Sequence, residues 1–548
     1  MTDCWTSRNG IEIRDLVPED LRRRWLEQGD CPGRDLYALF SEHVLAHPER
    51  EAIVDSDRVF DYEDLDREVR RIAAALTAAG LGSRDIIGIR MRNGWRMVAA
   101  ELAVAAIGAV ALPYPAGRGS RDTISLLGRS RAAAGIFGTA EDADLVAGFP
   151  HIRAVFTFGA GEEGERSLDD APAAADWQPG PVDPEAPVRI LVTSGSTSEP
   201  KMIAYSHNAM AGGRANYVRA LHDGDGPMRG LILMKLASSY GSCATFVGIA
   251  ALGSTLVLAD RFDPAEALRM VTQHRPTHLF GVPTMLRRLS EHPAVHGEDL
   301  SSLRAVVSSA APLSHVTAEA CRQRFGCRVI TIYGSSDGIN CHTARSGTGE
   351  GSGTGIPDPS VAEIRIVDER GHDVPCGESG EIWARGPMTP LCYVAAPELD
   401  AQYRTSDGWV RSGDSGMFDE HGRLRVLGRI EQVVSRGGYK ISPAEVEREI
   451  SAHPAIVDVA CVPVPDEDLG ERLCACISQS AGAPELSLAD VAGFLERDRG
   501  LERRKLPEFL LRLPELPLAP TGKVCRRTVT AMAAELDLVP DSAKGLAR

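Results

Sequence analysis

The chain has 548 residues, 43% apolar and 25% charged, an ordinary globular composition too long for one core, so two to four structural units are expected. Its net charge of -16 argues against a fold-wide attraction to nucleic acid or to an anionic membrane. Twelve cysteines run from Cys4 to Cys525 without a Cys-x-x-Cys pair, and Cys474 and Cys476 lie two apart along a strand; reduced thiols of a cytoplasmic protein are expected, and no zinc site.

Met1 to Gly10 has no basic stretch followed by an apolar run, so no secretory leader is expected. Tyr62 to Leu81 carries apolar residues at helical spacing, Asp85 to Met91 reads as a strand, Met97 to Ile107 as a helix and Ala109 to Leu112 as the next strand. The apolar run Met97 to Leu112 is interrupted by Glu101, closed by Pro113 and too short to span a bilayer. This βαβ rhythm predicts mostly parallel, doubly wound sheets with helical covers. Gly159 to Pro184 reads as an exposed excursion, and residues 346–355 (SGTGEGSGTG) as a mobile loop. From Ala362 the segments AEIRIV, GEIWARG and LRVLGRI predict a small antiparallel unit. Beyond Arg429 an α+β pattern follows: helix Pro443 to Ala452, strands Ile456 to Val462 and Leu473 to Ser478, helix Leu488 to Arg497.

Val188 to Lys201 reads VRILVTSGSTSEPK. A β-branched strand delivers a loop of Thr193, Ser194, Gly195, Ser196 and Thr197, then Pro200 and Lys201. Hydroxyls and backbone N–H groups around a glycine suit phosphate oxygens, and the lysine adds a point charge. It is not the Walker arrangement, since no Ser or Thr follows Lys201; alone, it would also serve as a solvated turn. Tyr333-Gly334-Ser335-Ser336-Asp337-Gly338 follows the strand Arg328 to Ile332, where open α/β sheets bind ligands. Tyr333 could stack on a ring and Asp337 could hold Mg²⁺ through oxygen; a turn with a capping Asp is the plain alternative. Ser412-Gly413-Asp414 is expected in a turn after Trp409, its carboxylate matched to a ribose diol. Gly428-Arg429-Ile430-Glu431 joins two composition regimes, ahead of Arg436-Gly437-Gly438-Tyr439-Lys440. Pro520-Thr521-Gly522-Lys523 sets a lone lysine on a glycine turn.

Together, TSGSTSEPK, YGSSDG, RSGDSG, GRIEQVVSRGGYK and PTGK resemble the adenylate-forming superfamily of acyl-CoA synthetases, peptide-synthetase adenylation domains and luciferases, over residues 35–530. The resemblance implies an α/β fold with two doubly wound, mostly parallel sheets and a small β unit in an N-terminal domain (1–428), then a small mobile α+β domain (429–548) carrying the catalytic lysine. It implies ATP and Mg²⁺ as cofactors. Thr193 to Thr197 and Lys201 would grip the β- and γ-phosphates. Ala310, Ala311 and Pro312 would line the adenine with Tyr333 beside it, and Gly334 and Ser335 would also bind the nucleotide. Asp337 would stand by Mg²⁺, Asp414 and Arg429 would hold the ribose, and Lys523 would act in catalysis. The domain would rotate about Glu431, bringing the Gly437-Gly438 loop to a channel for the thiol of CoA or phosphopantetheine. The physical logic agrees. An ionised carboxylate needs no general base, so positioning and charge compensation by Mg²⁺, Lys201 and Lys523 carry the reaction.

Within the superfamily the chain looks most like aryl-acid AMP ligases of the 2,3-dihydroxybenzoate type. Their Ala-His-Asn-Tyr segment aligns with Ala237-Ser238-Ser239-Tyr240, where Ser239 is shorter and leaves more room. The implied acid-binding residues are His207, Ser239, Tyr240, Ser309, Gly334 and Ile339. Asp337 stands for the usual Glu, Ser198 for the usual Gly, and Glu431 for the usual hinge Asp or Lys. The expected substrate is a small aromatic acid and the expected partner CoA or an acyl carrier protein. Diversion to another oxyanion or an amine, such as nitrite-dependent diazotisation of an arylamine, stays open. So do an aliphatic acyl-CoA ligase and a non-enzymatic nucleotide binder.

Overall fold

The computed structural model describes residues 4–56, 58–146, 148–159, 166–174, 176–193, 199–345, 353–480, 482–519 and 523–535. Two eight-stranded sheets dominate. In the first, Cys392–Tyr393 and Met202–Ser206 form an antiparallel edge on Pro187–Val192. Val110–Pro115, Ile86–Met91, Ala134–Phe137, Ala154–Thr157 and Arg166–Ser167 then follow in parallel. In the second, Arg328–Gly334, Ala305–Ser308, His278–Gly281, Arg229–Ile232, Thr255–Leu258 and Glu51–Val54 run parallel, with one antiparallel strand on each edge.

The helices form for reasons the residues state. Helix Tyr62–Ala78 starts where the Asp61 carboxylate accepts from the Asp64 amide, and it buries Leu65, Val69, Ile72, Ala73 and Leu76 on one stripe. Helix Trp95–Ala106 is apolar nearly all round and buried from Met97 onward. It lies in the core shared by both sheets, packed in one cluster with Ile87 and Ile89 of the first and Ile53, Phe280 and Val307 of the second. Glu101, inside this helix, has no exposed surface and takes a 2.8 Å hydrogen bond from Arg189 of the strand Pro187–Val192. Burial pushes the Glu101 carboxyl up and the Arg189 guanidinium pulls it back down. No helix among the described residues is long and apolar enough to cross a membrane.

A four-stranded antiparallel sheet follows, in the order Glu363–Val367, Gly380–Arg385, Val410–Phe418, Leu424–Arg429. It corrects one expectation: Ser412-Gly413-Asp414 lies inside the strand Val410–Phe418 and not in a turn. Gly413, at φ +68, lets the strand deform there while Asp414 stays in register with Arg429. Most of the 346–355 loop lies outside the described residues, but its end is fixed. The Thr354 amide donates to the Leu424 carbonyl and the Leu424 amide to the Gly355 carbonyl, both at 2.8 Å.

The last sheet orders Tyr439–Ile441, Val434–Arg436, Gly470–Gln479 and Ile456–Asp466, with Phe509–Arg512 parallel to Gly470–Gln479. Helices Pro443–Ile450, Leu488–Arg497 and Arg526–Ala534 cover it. Its two apolar clusters, one around Ile441, Val446 and Leu495, the other around Val462 and Val529, draw on no residue before Val434. Across to the rest of the chain run polar contacts: Arg287 to Asp458 at 3.4 Å, Arg288 to Glu515 at 3.6 Å, and the Ser442 hydroxyl to the Leu427 carbonyl. All twelve cysteines are free, and most are buried. The sulfurs of Cys474 and Cys476 lie 3.8 Å apart.

Candidate active site

The carboxyl ends of the parallel strands in both large sheets open onto one cleft. Tyr333 ends one strand, Ser309 to Pro312 follow another, Thr193 follows a third, and the four-stranded sheet supplies Asp414 and Arg429. Asp414 is the hub. Its Oδ2 accepts from the Tyr333 hydroxyl at 2.6 Å, and its Oδ1 faces Arg429 Nε at 2.8 Å. Burial raises the Asp414 pKa, and Arg429 opposes that rise. Burial, then the neighbouring Asp414 carboxylate, keep the Tyr333 phenol protonated well above its ordinary range. Arg429 also donates to the Ser412 carbonyl at 2.9 Å, and almost half of its side-chain surface stays open to solvent.

Lys523 sits in the same neighbourhood. Protein crowds its ammonium enough that desolvation lowers its pKa, with Arg429 adding repulsion and Asp414 opposing both. Solvent still reaches the side chain, as expected of a lysine facing a cleft and not a core. Asp337 lies beside this group, near enough to raise the pKa values of Asp414 and Arg429. Its Oδ1 accepts from the Tyr393 hydroxyl, and its amide donates to the Ser335 hydroxyl at 3.1 Å. Lys201 lies over the Tyr403 ring at 4.6 Å and the Tyr393 ring at 6.0 Å. The Tyr403 hydroxyl reaches Glu431 at 3.5 Å. Tyr393 and Tyr403 thus tie Asp337, Lys201 and Glu431 together, and no sequence signal had singled them out.

Ser194, Gly195, Ser196 and Thr197, with Ser198, lie outside the described residues. The base of their loop is closed by the Thr193 amide donating to the Lys201 carbonyl at 3.0 Å. The Thr193 hydroxyl is buried without a partner among the described residues. Two cations unnoticed in the sequence flank this base. Arg118 donates to the Thr193 carbonyl at 3.4 Å, and Lys235 has a pKa lowered by burial and by Arg118. Ala310 takes φ +79, a left-handed conformation strained for a non-glycine residue, at the turn leading to exposed Ala311 and Pro312.

Of the implied acid-binding residues, Tyr240 donates to the Val307 carbonyl at 2.9 Å, Ser309 to the Ile332 carbonyl at 3.1 Å, and the Ile339 carbonyl accepts from the Ser335 amide at 3.0 Å. Ser239 and Gly334 keep accessible surface, while the Ile339 side chain is wholly buried. His207 is a correction. It follows the strand Met202–Ser206 at the end remote from Lys201, roughly 20 Å along the backbone. It is fully buried, and its Nδ1 accepts from the Leu36 amide at 3.1 Å. Burial alone lowers its pKa to about 3, so it is a neutral core histidine holding the N-terminal segment. A separate cavity of about 740 Å³, lined by Arg304, Cys327 and Arg328, lies at the opposite strand ends and shares no residue with the cleft.

The profile of the AMP-binding enzyme family matches residues 40–394, and that of the AMP-binding enzyme C-terminal domain matches residues 445–523. Triostin synthetase I of Streptomyces triostinicus is 32% identical over 524 residues, covering 94% of this chain and 98% of the relative. A salicyl-AMP ligase / salicyl-S-ArCP synthetase of Mycobacterium tuberculosis is 29% identical, covering 93% of each. Among solved structures, the amide bond synthetase McbA from Marinactinospora thermotolerans superimposes with a TM-score of 0.81 at 29% identity, covering 90% of this chain and 99% of that one. With both profiles matched and the tyrosine, acid, arginine and lysine of the cleft in one place, the chain belongs to the AMP-binding enzyme family and is an ATP-using, AMP-forming acid ligase.

Proposed function

We propose that the protein adenylates an aromatic carboxylic acid and passes the acyl group to the thiol of CoA or of a carrier protein. The observation that carries this is the convergence of Asp414, Arg429 and Lys523 beside Asp337 in one solvent-reached cleft. Asp414 and Arg429 hold the ribose, and Tyr333 with Ala310 to Pro312 forms the adenine bed. Lys523 offsets the negative charge that grows on the bridging oxygen as the carboxylate attacks the α-phosphate. Lys201 leaves its aromatic platform to meet the outer phosphates with the 193–197 loop; Arg118 and Lys235 stand close behind.

Asp337 fits Mg²⁺. One oxygen is occupied by the Tyr393 hydroxyl, the other has no partner among the described residues, and a lone carboxylate plus substrate phosphates is a usual Mg²⁺ environment. When bound, the ion would neutralise phosphate charge. Tyr240, Ser239, Ser309, Gly334 and Ile339 form or back the wall of the acid pocket. The self-contained apolar clusters beyond Val434 and the polar contacts across to the core support rotation of residues 429–548 about Glu431. The free thiols suit a reducing cytoplasm. The name of the salicyl-AMP ligase / salicyl-S-ArCP synthetase relative supports an aryl acid and a carrier-bound product.

ATP–pyrophosphate exchange across a panel of aryl acids, for wild type and Lys523→Ala, tests this reading. Exchange with one class of aryl acid, lost in the variant, is expected. Silence with every acid, with pyrophosphate released only when nitrite and an arylamine are present, would overturn it in favour of diverted chemistry. The likeness to an amide bond synthetase favours one second reading, an amine acceptor. Product analysis with CoA and amines in competition separates the two.

A further inference from the structure

Arg214 ends a π-helical stretch, Met210–Arg214, within the helix that follows the strand Met202–Ser206. Such widened turns recur at functional sites. Gly212 and Gly213 let the stretch press against its neighbours: a Cβ on Gly213 would come within 2.1 Å of the Met388 amide nitrogen, and one on Gly212 within 2.7 Å of the Asp30 carbonyl. The helix is therefore held tightly on one side, and Arg214 is delivered on another.

Arg214 is 2% exposed, and no carboxylate pairs with its guanidinium among the described residues. It donates to the Ser242 hydroxyl at 2.8 Å, the Tyr205 hydroxyl at 3.1 Å and the Ser239 carbonyl at 3.5 Å. It also lies 4.5 Å from the Tyr205 ring centroid. Five N–H donors thus meet three acceptors, and Nε has no partner. Nearby Arg189 is neutralised by Glu101, so this interior carries one cation more than its anions balance. A buried charge is ordinarily matched. The acceptors place Arg214 against the pocket wall. Ser239 adjoins Tyr240, and the Tyr205 hydroxyl donates at 2.7 Å to the carbonyl of Ser336, next to Asp337.

We propose that Arg214 receives a second carboxylate on the substrate, so that the acid this protein adenylates is an aromatic dicarboxylate, one carboxylate reacting near Lys523 and the other held by the guanidinium. The planar two-oxygen group matches the unused Nε edge of the fork. The proposal rests on the aryl-acid reading above and names its substrate class.

The test measures ATP–pyrophosphate exchange with isomeric benzenedicarboxylates, their monomethyl esters and benzoate, for wild type, Arg214→Met and Arg214→Lys, with melting temperatures alongside. Wild type is expected to favour one free dicarboxylate over its monomethyl ester by about tenfold or more in kcat/KM, chiefly through KM. Arg214→Met is expected to erase that ratio while leaving exchange with the ester within about threefold of wild type. Arg214→Lys keeps a charge without the fork and should retain part of the preference. Equal use of acid and ester by wild type would overturn the proposal, and that comparison holds even if Arg214→Met does not fold. So would an equal loss for every acid in a folded Arg214→Met, which marks a strut for the Ser239 turn. Exchange with benzoate but no preference for a second carboxylate sinks this inference alone; silence with every acid sinks the aryl-acid reading with it.

Discussion

Two arginine–carboxylate pairs in this protein have the same 2.8 Å separation and opposite surroundings. Arg189 and Glu101 lie between the sheets with no exposed surface; Arg429 and Asp414 lie at the cleft, where 48% of the arginine side chain meets solvent. The buried pair joins a helix to a strand and faces only protein. The cleft pair keeps donors turned outward, and its acid also holds Tyr333. Geometry alone does not distinguish a structural pair from a ligand-ready one; access does.

The largest effect should come from breaking the buried pair. Glu101→Gln leaves the Arg189 charge without its counter-ion, and a loss of about 3–5 kcal/mol is expected in denaturant unfolding, with exchange per folded molecule unchanged. An unchanged midpoint would erase the contrast between the two pairs. Lys523→Ala should do the reverse. A rate loss of about two to three decades, or roughly 2.7–4 kcal/mol, is expected in adenylation, with an unmoved melting temperature.

Titration sharpens the contrast at both ends of the pH scale. In the proposed role Lys523 acts protonated, and its pKa is lowered by burial and by Arg429, so adenylation should fall on the alkaline side sooner than an ordinary lysine would allow. Lys523→Arg should move that limb upward in a pH–rate profile. In the core, burial lowers the pKa of His207 to about 3 and those of His278 and His342 to about 4. The unfolded chain takes up these protons from about 6.5 downward while the folded chain refuses them. Stability should therefore fall as pH drops from 6.5 toward 3, measured as melting temperature against pH, and His207→Asn should flatten part of the slope. The smallest effect is expected at Glu515, whose exposed pair with Arg288 crosses to the C-terminal unit: Glu515→Gln should shift stability by less than about 1 kcal/mol.

Much of this was legible in the residues. The stripe from Leu65 to Leu76 and the apolar run from Met97, broken by Glu101, foretold the amphipathic and the buried helix, because the apolar pattern reports burial directly. The strand Ile456–Asp466 and its partner Gly470–Gln479 run longer than their apolar cores suggested, because pairing carries the polar residues along. Asp414 was found by its motif but misplaced in a turn, since a glycine at positive φ inside a strand reads like a loop residue. His207 was misjudged because adjacency in sequence to the phosphate loop hides the length of the strand between them. Tyr393, Tyr403 and Arg214 could not be found at all; their significance lies in contacts to Asp337, Lys201 and Ser242, each more than 20 residues away along the chain.

The free thiols have a practical use. Burial pushes Cys31, Cys243, Cys321, Cys341 and Cys392 up to about 12, so maleimides at neutral pH would pass them by. Cys376 is exposed beside the four-stranded sheet, and Cys525, two residues past Lys523, has a pKa lowered by its hydrogen bond with Thr528. With Cys4 and Cys327 replaced by serine, the chain would carry a native pair of dye positions, Cys376 and Cys525, one on each side of Glu431, able to report a swing of the C-terminal unit in single molecules.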